Sequence, residues 1–283
     1  MSPDSIAAVQ RAPGFIFDMD GTIALGDAAS GGHKALPFAI ETLAALRARG
    51  TPFRVYTNGT AKPPATYAAS LRAAGFDLGD GEMMTPSSSA ALWFVKRGIR
   101  RVRVLGNDGV AAPLREAGIT IIGASEDAEG VEAVYTGWFR EFTFPDLEAA
   151  CQSIWDGAIL TTASHVPFFA TATGRGIGSS FAINKMISAM TGKRAKVLGK
   201  PSRVAFEVAA DAMAVAKGDR RGIVVVGDDP ALEMRMANGA GAVSIGMTTG
   251  LMKPETLNGL SPAERPHMLL TSLEPLLRAL TWP

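Results

Sequence analysis

The chain has 283 residues, with 28 basic against 27 acidic side chains, a formal net charge of +1 and 47% hydrophobic residues. That balance leaves no electrostatic footprint for nucleic acid or for an anionic membrane. Cys151 is the only cysteine, so an intrachain disulfide is excluded and a reducing compartment is the natural setting.

The opening MSPDSIAAVQRAPG lacks a basic start and an apolar segment, so no secretory signal is expected. No apolar run approaches the roughly 20 residues that span a bilayer, and a cytoplasmic location is expected. The length is near the point where one core stops growing, which predicts a large domain or a domain carrying an insertion.

Phe15-Ile16-Phe17 is a short apolar run that breaks into Asp18-Met19-Asp20-Gly21-Thr22. It predicts a buried parallel strand with polar residues just past its carboxyl end. An Asx-turn ending a strand is the bland reading of the same residues. Residues 23–33 are small, polar and Gly-rich and read as a loop, with His33 at its end as a solvated or capping histidine. A helix is expected over 36–49, a strand at Phe53–Tyr56 ending in Thr57-Asn58-Gly59-Thr60, and a helix over 64–74.

From about residue 85 strands and helices alternate again. Ser87 is placed as the cap of a helix to Lys96. Strands follow at 102–105, 119–122, 131–135 and 158–162, with helices near 110–117, 145–156 and 179–190. Residues 163–178 read as irregular with two hairpin-like runs. Further on, Lys196-Val197-Leu198-Gly199 runs into Lys200-Pro201-Ser202 and a helix. Gly222–Val226 is the plainest buried strand, ending in Gly227-Asp228-Asp229. A helix through Met236, a strand near 242–245 and a helix near 273–280 finish the chain, which has no internal repeat.

Four apolar runs thus end in Asp18/Asp20, Thr57/Asn58, Lys200 and Asp228/Asp229. If all four belong to one parallel sheet, their ends share one edge, where such sheets hold ligands. Up to four clustered carboxylates would repel one another, and a divalent cation resolves the conflict. All-oxygen ligation suits Mg²⁺, which commonly arrives with a substrate phosphate. Lys200 and Thr57 offer charge and a hydroxyl to phosphate oxygens. The residues alone do not choose which carboxylate attacks.

DMDGT (18–22), TNGT (57–60), GKPS (199–202) and GDD (227–229) resemble, in order, the four motifs of the haloacid dehalogenase superfamily. The long insert between the second and third resembles that of its class IIA, nitrophenylphosphatase-like branch. The resemblance implies an α/β fold: a Rossmann-like parallel-sheet core over 1–84 and 197–283, and an inserted α/β cap over 85–196. It implies a Mg²⁺-dependent phosphatase of small phosphorylated metabolites. Asp18 would be the nucleophile and Asp20 the general acid and base. Thr57, Asn58 and Lys200 would hold phosphate, and Asp18, the Asp20 carbonyl and Asp228 the metal. A homodimer is a possible assembly. The other class of reading is a binding or regulatory protein on the same fold with little turnover.

Two departures stand out. Glu233 occupies a position where the family usually has Asp, and with Asp229 it is a candidate outer-shell metal residue. In the cap, Thr162-Ala163-Ser164-His165 replaces the usual Thr-Asn-x-Asp run, making His165, with Arg175, a candidate for substrate selection. Gly174–Gly178 resembles a nucleotide loop but lacks the flanking context, and reads as a turn before a helix. Cys151 reads as a small buried apolar residue. Trp138, Phe139, Phe168 and Phe169 read as core, and His267 as solvent-facing.

Overall fold

A computed structural model describes residues 1–27, 32–171 and 174–282. The first part of the chain holds α1 (Pro3–Gln10), β1 (Phe15–Phe17), β2 (Ala24–Asp27), β3 (Gly32–Ala35), α2 (Ala39–Ala48), β4 (Phe53–Tyr56), α3 (Pro64–Ala73) and β5 (Met83–Met84). The middle holds α4 (Pro86–Lys96), β6 (Arg101–Leu105), α5 (Asp108–Glu116), β7 (Thr120–Ile122), β8 (Ala133–Thr136), α6 (Phe144–Trp155), β9 (Ile159–Thr162), β10 (Phe168–Thr171), β11 (Gly174–Ile177) and α7 (Ser179–Thr191). Then come β12 (Lys196–Val197), α8 (Arg203–Ala212), β13 (Val224–Gly227), α9 (Arg235–Ala240), β14 (Val243–Met247), β15 (Met268–Leu270) and α10 (Glu274–Thr281).

The chain divides into two compact units. One comprises Met1–Thr57, Ala65–Met84 and Phe206–Pro283, the other Asn58–Pro64 and Thr85–Ala205. Residues 58–64 and 197–205 thus fall with the inserted segment, outside the 85–196 range expected for it.

The first unit is built on a six-stranded parallel sheet in the order β15-β14-β13-β1-β4-β5. Its central strands are the ones the residue pattern marks. Phe15, Ile16 and Phe17 are at most 1% exposed, and Val224, Val225 and Val226 are fully buried. A strand covered on both faces has no polar side to alternate, so its sequence is a continuous apolar run. Burying each such side chain is worth about 1.5–3 kcal/mol. The core on this sheet collects Leu43, Leu46, Phe53, Leu71, Leu276 and Leu280 from the helices and the neighbouring strand.

The second unit carries a five-stranded parallel sheet, β12-β9-β8-β6-β7. Val102, Val104 and Tyr135 pack on Phe94 and Leu114, and Leu105 and Val134 on Leu147, Ile154 and Ile187. The two parallel sheets and the insertion bear out the α/β class.

Several expectations are corrected. β12 pairs with β9 in the second sheet, so the four motif-bearing runs do not share one sheet. The stretch read as a 23–33 loop contains the antiparallel pair β2–β3. The 163–178 stretch contains the pair β10–β11, and Gly174–Gly178 supplies β11 and the residue before α7. Thr85 rather than Ser87 caps α4: its hydroxyl accepts from the Ser88 amide, and Pro86 takes the first helical position. Phe168 and Phe169 are 47% and 40% exposed, not core.

Candidate active site

In the first unit the strand register brings three motif ends together. Phe17 pairs with Val226 on one side and Val55 on the other. The residues that follow, Asp18, Asp228 and Thr57, therefore emerge from three adjacent strands at their carboxyl ends, where parallel sheets place ligands. The Asp18 amide extends the ladder, donating to the Val226 carbonyl at 2.8 Å. Asp18, Asp228 and Thr57 are 8%, 5% and 5% exposed.

Past Asp18 the chain tightens into a turn in which the Met19 carbonyl accepts from Ile23 and Ala24. Gly21 sits at φ +79°, a conformation that side chains disfavour, and a Cβ there would lie 2.6 Å from Asp228 Oδ2. The turn brings Thr22 back onto the motif, and its hydroxyl donates to Asp18 Oδ2 at 3.3 Å. Asp228 Oδ2 accepts from the Leu251 amide at 2.7 Å, while a Cβ on Gly250 would lie 1.9 Å from that oxygen. Gly250, Leu251 and Thr249, whose hydroxyl donates to the Gly21 carbonyl, lie outside the recognised motifs. Small residues after the penultimate strand were the only signal for them.

Asp20 is differently placed. Its side chain is 56% exposed, and its Oδ1 is 3.9 Å from His33 Nε2. His33 was expected to be a solvated or capping histidine. Its side chain is instead 9% exposed, with Nδ1 2.8 Å from Ser70 Oγ.

Asp229 and Glu233 have local partners. Asp229 Oδ1 accepts from the Ala231 amide at 2.8 Å and caps the π-turn over 230–234. Glu233, 1% exposed, accepts the Asp229 amide on Oε2 at 3.1 Å and lies against Gly227. Among the described residues no three His, Cys, Asp or Glu side chains gather as a metal cluster. Two nearly buried carboxylates on neighbouring strand ends do, however, suit a hard cation, with a backbone carbonyl and solvent to complete the shell. Their burial also favours a bound positive charge over bare repulsion.

The second unit holds the rest. Asn58 and Lys200 lie together there, with Lys200 1% exposed. The Asn58 side chain bonds the Lys200 backbone at both its amide and its carbonyl. The loop after β9 is shaped by its own hydroxyls: Thr162 Oγ1 accepts from the Ser164 amide, and Ser164 Oγ from the Val166 amide. His165 meets the Phe181 ring edge-on at 6.2 Å, and Lys185 lies over that ring. Partial burial of the imidazole, and then the Lys185 charge, hold it below the ordinary histidine value. Arg175 is exposed on β11 and stacks over Phe168 at 4.5 Å. Cys151 is buried as expected, and burial pushes its thiol up. His267 is exposed as expected, but its Nδ1 accepts from the Ser244 amide. No helix among the described residues is long and apolar enough to cross a membrane.

The chain is similar to known proteins. The family model for haloacid dehalogenase-like hydrolases matches residues 15–120, and a second, HAD-hydrolase-like model matches 197–276. Chronophin of cattle (Bos taurus) is 26% identical over 96% of this chain and 94% of its own. The crystal structure of 4-nitrophenylphosphatase from Thermotoga maritima superposes with a TM-score of 0.83 at 26% identity, covering 96% of this chain and 99% of that one. Glycerol phosphate phosphatase from Mycobacterium tuberculosis, solved in complex with magnesium, is 25% identical with a TM-score of 0.79, covering 96% and 77%.

Proposed function

Because the chain belongs to the haloacid dehalogenase-like hydrolases, we propose that it is a Mg²⁺-dependent phosphatase of small phosphate monoesters working through an aspartyl-phosphate. The observation that carries this reading is the division of labour at the end of β1. Asp18 is nearly buried with a hydroxyl donor on Oδ2, while Asp20, two residues on, is mostly exposed. A buried, oriented carboxylate suits attack; a solvated one suits proton exchange.

In this mechanism an Asp18 carboxylate oxygen attacks phosphorus and the ester P–O bond breaks. Asp20 gives its proton to the departing oxygen. Water then attacks phosphorus and releases phosphate, with Asp20 taking the water's proton and Asp18 returning to carboxylate. Thr57, Lys200 and the Asn58 backbone amide hold phosphate oxygens, because the Asn58 side chain is already spent on Lys200. Asp18, Asp228 and the Asp20 carbonyl would hold Mg²⁺, with Asp229 and Glu233 at most beyond its immediate ligands. Bound there, the ion supplies charge neutralisation for the phosphoryl group. The inserted segment would act as a cap, with His165 and Arg175 selecting among leaving groups.

Hydrolysis of 4-nitrophenyl phosphate with Mg²⁺ and with excess chelator tests the reading. Turnover that needs the metal supports it. Binding of phosphorylated metabolites with no release of phosphate supports instead a regulatory protein on the same fold.

A further inference from the structure

We propose that His33 is a positioning residue for Asp20, holding its carboxylate where it exchanges protons with the leaving oxygen. The inference rests on Asp20 acting as the acid and base.

His33 lies on β3 opposite Gly26, so the β2–β3 pair carries it back toward the turn that follows β1. Asp20 is itself bridged to Ala24 at the start of that pair. The imidazole is fixed by Ser70 Oγ on α3, at 2.8 Å from Nδ1, and by the Tyr67 ring 6.5 Å away. When the serine hydroxyl donates to Nδ1, the ring's proton resides on Nε2. That nitrogen is the one 3.9 Å from Asp20 Oδ1.

The separation is too long for a direct hydrogen bond. A rotation of the Asp20 side chain, 56% exposed, closes it, whereas the buried ring has no comparable freedom. A fixed donor on one flank of a carboxylate favours the rotamer that faces it.

The test exploits the leaving group. Nitrophenolate departs without a proton, whereas an alkoxide needs one. First-turnover release of the alcohol from 4-nitrophenyl phosphate and from glycerol phosphate isolates the step in which Asp20 donates. His33→Ala should slow the glycerol ester about tenfold, with KM little changed, and the nitrophenyl ester less than about twofold. His33→Gln, which can place an N–H near the Nε2 position, should restore most of the loss. Ser70→Ala should give a smaller loss with the same selectivity. Equal slowing of both esters, or none, overturns the proposal. If His33→Ala does not fold, His33→Gln and Ser70→Ala decide, and equal effects of both on the two esters overturn it. Asp20→Asn is the control: a selective loss there without one at His33 rejects the His33 role alone, and no selective loss there rejects the acid role itself.

Discussion

The side-chain amide of Asn58 lies across the backbone of Lys200, donating from Nδ2 to its carbonyl at 3.0 Å while Oδ1 accepts from its amide at 3.0 Å. A buried lysine is costly unless its charge is used, and its direction depends on the backbone that carries it. Gly199 makes the approach possible, since a Cβ there would lie 2.4 Å from the Ala163 carbonyl and 3.0 Å from Asn58 Oδ1. Asn58→Ala removes both bonds, worth about 1 kcal/mol each, and frees the Lys200 backbone. We expect kcat/KM to fall on the order of 10²-fold, with Asn58→Asp intermediate because it keeps the acceptor. Steady-state kinetics beside a denaturation curve separates this from simple unfolding, and wild-type kcat/KM in Asn58→Ala rejects it.

Asp18→Asn replaces the attacking oxygen with an amide of nearly the same shape, and the Thr22 hydroxyl can still donate to the remaining oxygen. The variant should fold as wild type and lose turnover to background, and no phosphorylated enzyme should be trapped by rapid acid quench. Retained turnover would rule out the aspartyl-phosphate route.

Asp228 offers a way to probe the metal without removing a ligand. The Leu251 amide holds one of its oxygens, and that oxygen leaves no space for a Cβ on Gly250. Gly250→Ala must displace the Asp228 carboxylate, an overpacking that costs about 1–3 kcal/mol. It should raise the Mg²⁺ concentration needed for half-maximal activity and weaken Mg²⁺ stabilisation of the fold in a thermal-shift titration. Asp228→Ala should do the same more severely. Full activity in excess chelator sinks the metal assignment.

Much of this was legible in the residues, for reasons that differ by element. FIF and VVV are strands covered on both faces, which is why each reads as a continuous apolar run. Lys196–Gly199 was read as one of four strands of a single sheet, but only Lys196 and Val197 pair, and a run that short carries no mark of which sheet it joins. The β2–β3 pair was hidden because its sequences, ALGD and GHKA, contain no β-branched residue and no Phe, Tyr or Trp to signal a strand. His33 was misread with it: burial of a single polar residue depends on partners such as Ser70, 37 positions away. Asn58 was singled out as a phosphate-binding candidate, and local sequence does not reveal that its side chain bonds the backbone of Lys200.

Arg103 on β6 is a similar case. It is 2% exposed, and its guanidinium donates to Ser153 Oγ and to the carbonyls of Gly123, Ala124 and Glu126. Burial lowers its pKa, with Glu126 and Asp127 opposing. Arg103→Met strands three carbonyls and should destabilise the second unit by about 3 kcal/mol or more. Chemical denaturation measures the loss, and limited proteolysis should show faster cleavage within 123–130. A change below about 1 kcal/mol means the loop does not depend on this side chain.

The last prediction concerns the loop after β9 and the charge it presents. Held below its ordinary value by burial and by Lys185, His165 is neutral at pH 7.5, and the standing positive charge beside it is Lys185. The sign follows from the lowered value. The unfolded chain protonates first as pH falls through about 6.5, so His165 opposes folding only below that point and makes no such contribution above it. A cationic His165 therefore adds to selection only in acid. The ratio of kcat/KM for an ester with an anionic leaving group to one with a neutral leaving group should rise as pH drops from 7.5 to 5.5. Taking the ratio cancels the ionisation of the phosphate common to both. In His165→Gln the rise should vanish while the ratio at pH 7.5 stays near wild type. In His165→Asp the ratio should be lowered at every pH, because a negative charge now faces the anionic group. A ratio that rises equally in wild type and His165→Gln assigns the effect elsewhere and leaves His165 with no part in selecting substrate.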